Sequence, residues 1–130
     1  MSLINTFVYT RTVIDWDKMA EALHNQFRVV SSRLYADKKG ILPEGVTLTL
    51  TVLKDDFDYG IDKKNGKPRE NNLYQNFDVT VLNRNHDFKK GDVIRLLGFD
   101  AENSFAIGYD LLMRFKDAEL IQQQGVKPHA

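Results

Sequence analysis

The chain contains no cysteine. That absence excludes a disulfide scaffold, a thiolate metal site and a cysteine nucleophile, and it agrees with a reducing, cytoplasmic setting. Net charge is lacking as well: Lys and Arg total 18, Asp and Glu total 18, and the formal charge is zero. A protein held to nucleic acid by bulk charge needs a large positive excess, so any anion site here must be a local patch. No apolar run approaches the ~20 residues of a membrane span. The first residues, Met1 to Phe7, have neither the basic region nor the long apolar region of a signal peptide. There is no internal repeat, no glycine-rich phosphate loop, no Gly-x-Ser-x-Gly elbow and no pair of carboxylates in a recognisable frame. The expectation is a non-catalytic protein without cofactor, metal or membrane anchor.

What is present suffices for one core and little more: 130 residues, 42% of them hydrophobic and 28% charged. Residues 3–9 have β character with poor alternation. Asp15 has the side chain of a helix N-cap. After it, Trp16, Met19, Ala20, Leu23 and Phe27 fall on one helical stripe, which assigns the single tryptophan to the core. A strand is expected over 29–35, followed by turns at Lys38-Lys39-Gly40 and Pro43-Glu44-Gly45. From Val46 the period becomes two, with Val46, Leu48, Leu50 and Val52 inward and Thr47, Thr49 and Thr51 outward. Continued further, that alternation would carry Phe57 and Tyr59 onto the outer face. Asn65-Gly66 suits the tight turn of a hairpin. A second alternating strand has Phe77, Val79 and Val81 inward and Tyr74, Asn76, Asp78 and Thr80 outward. Val93 to Leu97 reads as a strand, with a bend or bulge at Gly98. A last strand is expected over 105–115, with Phe105, Ile107, Tyr109, Leu111, Met113 and Phe115 on one side and Arg114 and Lys116 on the other. Residues 122–130 read as a mobile tail. Short alternating strands joined by turns imply a mainly β fold, a small barrel or sandwich, with one N-terminal α-helix.

The candidate site gathers around the hairpin. Lys63, Lys64, Lys67 and Arg69 form a run of cations with no acid between Lys63 and Arg69. Tyr59 and Tyr74 flank it. Cations along a backbone and flat rings for bases are what a single nucleic-acid strand requires when its sequence is not read. Arg114 and Lys116, with Lys54 and Arg84, would extend the basic track. Asp55, Asp56 and Asp58 stand close by and would repel phosphate; they read as a polar turn, since a calcium loop starting at Asp56 would need glycine where Ile61 stands. His24, His86 and His129 are far apart and read as surface residues.

Two stretches carry a family likeness. Asp62-Lys63-x-x-Gly66-x-x-x-Glu70 resembles the hairpin between the second and third strands of bacterial single-stranded-DNA-binding proteins, and Lys90-Gly91-x-x-Ile94-x-x-x-Gly98 resembles the segment that opens their fourth strand. The order of elements agrees over roughly residues 46–120. The resemblance implies an OB-fold, a five-stranded barrel whose face and loops bind oligonucleotides. Three departures turn it away from the housekeeping protein. Asn83 to Phe88 is too short for the helix that separates the third and fourth strands of the family. Asn83 stands where the family has an aromatic residue. Val126-Lys127-Pro128-His129-Ala130 is unlike the family's acidic tip. The pattern is more similar to divergent accessory proteins of conjugative plasmids, transposons or phages.

The resulting expectation is an OB-like barrel over 46–121, an N-terminal strand–helix extension over 1–45 packed on it, and a tail over 122–130. Its function would be sequence-independent binding of single-stranded DNA, with RNA left open, accessory to replication or conjugative transfer of a mobile element. The extension would cap the barrel or mediate self-association into a homo-oligomer. The alternative is a small barrel adaptor that binds a protein of the same element and never touches nucleic acid; a metal-dependent nuclease is a third, weaker reading.

Overall fold

The computed structural model describes residues 3–8, 13–108 and 110–122. Its α-helix, α1 (Trp16–Leu23), begins where the sequence predicts, because the Asp15 carboxylate accepts the Lys18 backbone N–H at 3.1 Å. That bond satisfies one of the orphan donors of the first turn. The helix stops short of the apolar stripe's end. His24 and Asn25 adopt left-handed backbone, φ 60° and 45°, and swing the chain out of the helix. Phe27 therefore opens a strand instead of completing the helical stripe, and it is fully buried there. Of the strand expected over 3–9, the described residues 3–8 form none, and Tyr9 lies outside the described residues. Thr6–Val8 makes a short 3-10 turn closed by the Val8 N–H on the Asn5 carbonyl.

Six strands follow: β1 (Phe27–Tyr35), β2 (Gly45–Val52), β3 (Asn76–Val81), β4 (Val93–Phe99), β5 (Phe105–Ile107) and β6 (Asp110–Gln122). The protein is mainly β, with one α-helix among the described residues. Antiparallel pairing joins β1 to β2, β2 to β3, β1 to β4, β4 to β6 and β5 to β6. One parallel contact, Val79–Val81 against Met113–Phe115, joins β3 to β6. The pairings thus run in a closed ring, β1-β2-β3-β6-β4 and back to β1, with β5 on the outer edge of β6. β1 belongs to this ring although it precedes Val46.

Inside the ring lie the residues that alternation places there: Val46, Leu48, Leu50 and Val52 from β2, Val79 and Val81 from β3, all buried. α1 lays Trp16 against the strands' aromatic side chains. The Trp16 ring meets Phe115 edge-on at 4.7 Å, stacks with Phe99 at 6.1 Å and tilts against Phe27 at 6.4 Å. Such contacts contribute about 0.5–1.5 kcal/mol each beyond the area they bury.

Alternation fails at Gly98, as the sequence marks. Leu96 and Phe99 both turn toward the core although they are an odd number of residues apart, and so do their counterparts Ala118 and Phe115 on β6. Two strands can switch faces at the same rung because Gly98 takes φ 67°, a conformation that costs an L-residue with a Cβ about 1–2 kcal/mol.

The single strand expected over 105–115 is a hairpin. Gly108, at φ 61°, folds β5 back on β6 with Ile107 opposite Asp110. The apolar residues on both sides of Gly108 share one parity, so periodicity alone reads through the turn. Tyr109 lies outside the described residues. β6 runs on to Gln122, and the rest of the expected tail, 123–130, is outside the described residues. Thr80 faces outward by parity yet is buried, set in register between Thr47 and Arg114. No helix among the described residues is long and apolar enough to cross a membrane.

Gly45 closes the β1–β2 connection under the Val81 carbonyl, and a Cβ there would lie 2.0 Å from that oxygen. Gly45→Ala is expected to cost about 3 kcal/mol through overpacking against backbone. Gly40→Ala, left-handed at φ 66° but with open space around it, is expected to cost only about 1–2 kcal/mol. Urea denaturation of both variants checks the difference.

Candidate functional site

β2 ends at Val52 and β3 begins at Asn76, leaving residues 53–75 as a 23-residue connection. Connections beyond about 12–15 residues without regular structure of their own are uncommon in compact domains and are usually functional or disordered. This one is shaped by its own side chains. Asp55, Asp58, Asp62, Asn65 and Asn71 each accept the backbone N–H two residues on, at 2.8–3.1 Å. These are Asx turns, in which a short carbonyl side chain substitutes for a backbone acceptor.

Asp55 is the hub. Besides Phe57 N–H it accepts the Tyr59 hydroxyl at 2.7 Å and the Asn72 N–H at 2.7 Å, tying the two ends of the loop together. Burial pushes the Asp55 carboxyl up, but the Asn72, Tyr59 and Phe57 donors outweigh it and hold the group below its ordinary 3.8. Burial, and then the hydrogen bond to Asp55, raise the Tyr59 phenol above its ordinary 10.0. The loop is fastened to α1 by the Asp56 N–H on the Ala22 carbonyl at 3.1 Å and by the contact of His24 Nε2 with Asp56 Oδ2.

The hairpin forms at the tip. Ile61 and Pro68 bridge, Asp62 N–H donates to the Lys67 carbonyl, and Gly66, at φ 68°, donates to the Asp62 carbonyl. Lys63, Lys64 and Lys67 are exposed, and no hydrogen bond or ion pair among the described residues engages their ammonium groups. Arg69 is committed differently: its Nη1 donates to the Tyr59 carbonyl at 2.7 Å and braces the hairpin's base. The three acids that the sequence sets against phosphate are partly spent on this scaffold. Asp55 and Asp58 serve the loop's own N–H groups, and Asp56 faces His24.

The two tyrosines differ. Because β2 stops at Val52, alternation does not reach Tyr59. Its half-buried ring packs edge-on against Phe57 at 4.9 Å with the hydroxyl engaged by Asp55 and Asn72, so it does not offer the open outer face expected of it. The Lys18 ammonium lies 4.9 Å over the Phe57 ring. Tyr74 is 71% exposed. It sits at φ 65°, its N–H donating to the Val52 carbonyl at 2.8 Å where β3 begins. A bulky residue in left-handed backbone stores strain of about 1–3 kcal/mol and persists only where its surroundings dictate it.

The other expected cations lie elsewhere. Arg114 is half-buried, with Nη1 on the Asn103 carbonyl, Nη2 3.4 Å from the Tyr35 hydroxyl, and the guanidinium 6.0 Å over the Tyr35 ring. It supports the strand ends instead of standing free as a surface cation. In register it is opposite Thr80, about 13 Å along β3 from the hairpin side. Arg84 pairs with Glu44 at 2.6 Å and donates to the Tyr35 carbonyl. Lys116 is exposed beside Gly98. Lys54 is exposed in the long loop itself. The structure therefore brings Lys63, Lys64, Lys67, Arg69, Tyr59 and Tyr74 onto one loop and leaves Arg114, Lys116 and Arg84 apart from it. Polar side chains on the outer faces of β1 to β3 engage one another: Thr49 donates to Asp78, Thr51 to Asn76, both at 2.6 Å, and Arg33 pairs with Asp78 at 3.5 Å.

The sequence reading of Asp55 as part of a polar turn agrees with the bonds it accepts; Asn72 and the partners of the histidines it did not foresee. His86 meets Asp117 at 2.6 Å and stacks on Phe88 at 4.8 Å. The Asp117 carboxyl is pushed up by burial but held below 3.8 overall by the Ala118 N–H, His86 and Asn83. Asp55 had a legible signal in the Asp/Asn spacing of residues 55–71, which is that of successive Asx turns.

Asp55 and Asp117 both have folded-state values below their unfolded ones, so their stabilisation is complete above about pH 4 and is lost as pH falls through the lowered values. Thermal unfolding between pH 7 and pH 2 is expected to show the melting temperature dropping in the acid range, with a shallower drop for Asp55→Asn. Asp55→Ala, which strands three donors, is expected to cost about 1–2 kcal/mol at neutral pH. In comparison with known proteins, the chain matches no family model, no curated protein and no solved structure.

Proposed function

We propose that the protein binds single-stranded DNA without reading its sequence, as an OB-fold-like barrel that serves replication or conjugative transfer of a mobile element. The observation that carries this reading is the loop between β2 and β3: three unengaged lysines at its tip, above acids turned onto the loop's own backbone. Phosphates attract such cations, and releasing the counterions of the strand drives binding. Tyr74 adds an open ring at the foot of the same loop, and base stacking contributes about 1–3 kcal/mol per ring. The five-membered ring of strand pairings supports the OB-fold half of the proposal, since that fold is a five-stranded, partly open barrel. Zero formal charge fits a protein whose grip is local.

A second reading, a barrel adaptor for another protein, draws on the free edge of β5, where Phe105 and Ile107 stand exposed. Fluorescence anisotropy with labelled single-stranded and duplex oligonucleotides over a salt series separates the two. Single-strand binding is expected, falling with salt at about −0.7 per phosphate neutralised. Replacing Lys63, Lys64 and Lys67 together by Gln is expected to flatten that slope by about 2 for every sequence alike. Tyr74→Ala is expected to weaken binding by about 5- to 150-fold with the slope unchanged. Absence of any single-strand affinity at low salt would remove the nucleic-acid reading and leave the adaptor.

A further inference from the structure

The ring of strands is not zipped along its whole height. β3 and β6 pair only over Val79–Val81 and Met113–Phe115, so Asn76–Asp78 and Asp110–Leu112, the adjoining stretches of the same strands, have no pairing across that gap. There the seam opens into a groove of about 700 Å³ whose floor includes Met19, Leu23, Phe77 and Met113. Among the described residues that line it, the ionisable ones are Asp78 and Asp110. A groove with an apolar floor, an acidic rim and strand edges on its two walls fits an extended polypeptide, whose backbone can add to such an edge. The same acidic rim disfavours a nucleic-acid strand.

The chain itself carries a segment of matching character. Residues 3–8 are Leu-Ile-Asn-Thr-Phe-Val, rich in the β-branched and aromatic types that favour strands. In the structure this segment forms no strand: Thr6–Val8 is a 3-10 turn, Leu3 to Asn5 are irregular, and Leu3 is 82%, Ile4 81% and Val8 64% exposed. A strand-favouring apolar segment held as an exposed turn is a conflict between local preference and observed state. The segment is not seated in its own chain's groove. Its charge also complements the groove: across residues 1–14 of the sequence the only charged side chain is Arg11, and of the two aspartates on the rim Asp78 already pairs with Arg33 while Asp110 has no side-chain partner among the described residues. Met19 and Leu23, on the floor, belong to the helix that directly follows this segment. From Val13 back to Val8 a fully extended chain spans roughly 17 Å.

We propose that the open seam between β3 and β6 is a docking site for an extended strand, and that its occupant is the segment around Leu3–Val8 of a second copy of this chain, two copies exchanging their N-terminal arms. Reciprocal exchange is isologous and closes at two. It does not require nucleic acid, so failure of oligonucleotide binding and failure of the exchange are separate results.

The absence of native cysteine makes the test clean. Ile4→Cys protein is mixed with Leu112→Cys protein carrying a tag of different mass, and the mixture is oxidised. A mixed disulfide dimer in several-fold excess over either homodimer is expected. In parallel, sedimentation velocity from micromolar to millimolar concentration is expected to show a dimer for the native chain and a monomer for Ile4→Asp/Val8→Asp, whose positions are exposed within one chain, so that its circular dichroism spectrum stays that of the folded protein. A native chain that stays monomeric throughout would overturn the proposal. So would a dimer that survives the two aspartates, which would place the interface elsewhere. An intramolecular disulfide in the Ile4→Cys/Leu112→Cys double variant, without mixed dimers, would assign the groove to the chain's own arm and equally sink the exchange.

Discussion

Three residues on each side decide the architecture. Without the parallel contact of Val79–Val81 with Met113–Phe115, the strands would form an open sheet with β3 as a bare edge, a template for other chains. With it, the sheet returns on itself and its inner faces become one core. The contact is short because the strands diverge below it. β3 continues to Asn76 and then into the long loop, while β6 begins beside its own hairpin partner β5. Closure at one height and opening at another are thus one geometric fact, and the groove beside α1 follows from it.

Trp16 makes that closure durable. It touches Phe27 of β1, Phe99 of β4 and Phe115 of β6, so a single helix residue holds three of the ring's five strands to one another. The loop between β2 and β3 works the opposite way. It has almost no core of its own and depends on local acceptors, Asp55 above all. The molecule therefore joins a ring held by apolar packing to a loop held by polar turns.

Legibility in the sequence followed the range of the causes. β2 was plain, because four apolar and three threonine residues alternate without interruption and each faces as it should. The start of α1 was plain from Asp15, and the irregularity at Gly98 from the glycine itself. The end of α1 was not, because two left-handed residues, His24 and Asn25, override a stripe that continues to Phe27. The β5–β6 hairpin was hidden by matching parity on both sides of Gly108. Tyr59 was misplaced by extending a strand past its last pair, and Arg114 by assigning a cation to solvent from parity alone, when Asn103 and Tyr35 claim it. The bonds of Asp55 to Asn72 and of His86 to Asp117 join residues 17 and 31 positions apart, beyond any local pattern.

Tyr74 carries a further meaning. Glycine adopts left-handed backbone at that position without a Cβ penalty, yet the residue there is a large ring open to water. Local strain and an exposed aromatic face thus coincide at one residue of the long loop. Tyr74→Gly would remove the strain and the ring together, so only a substitution that tolerates left-handed backbone and keeps a side chain, such as Tyr74→Asn, separates the two.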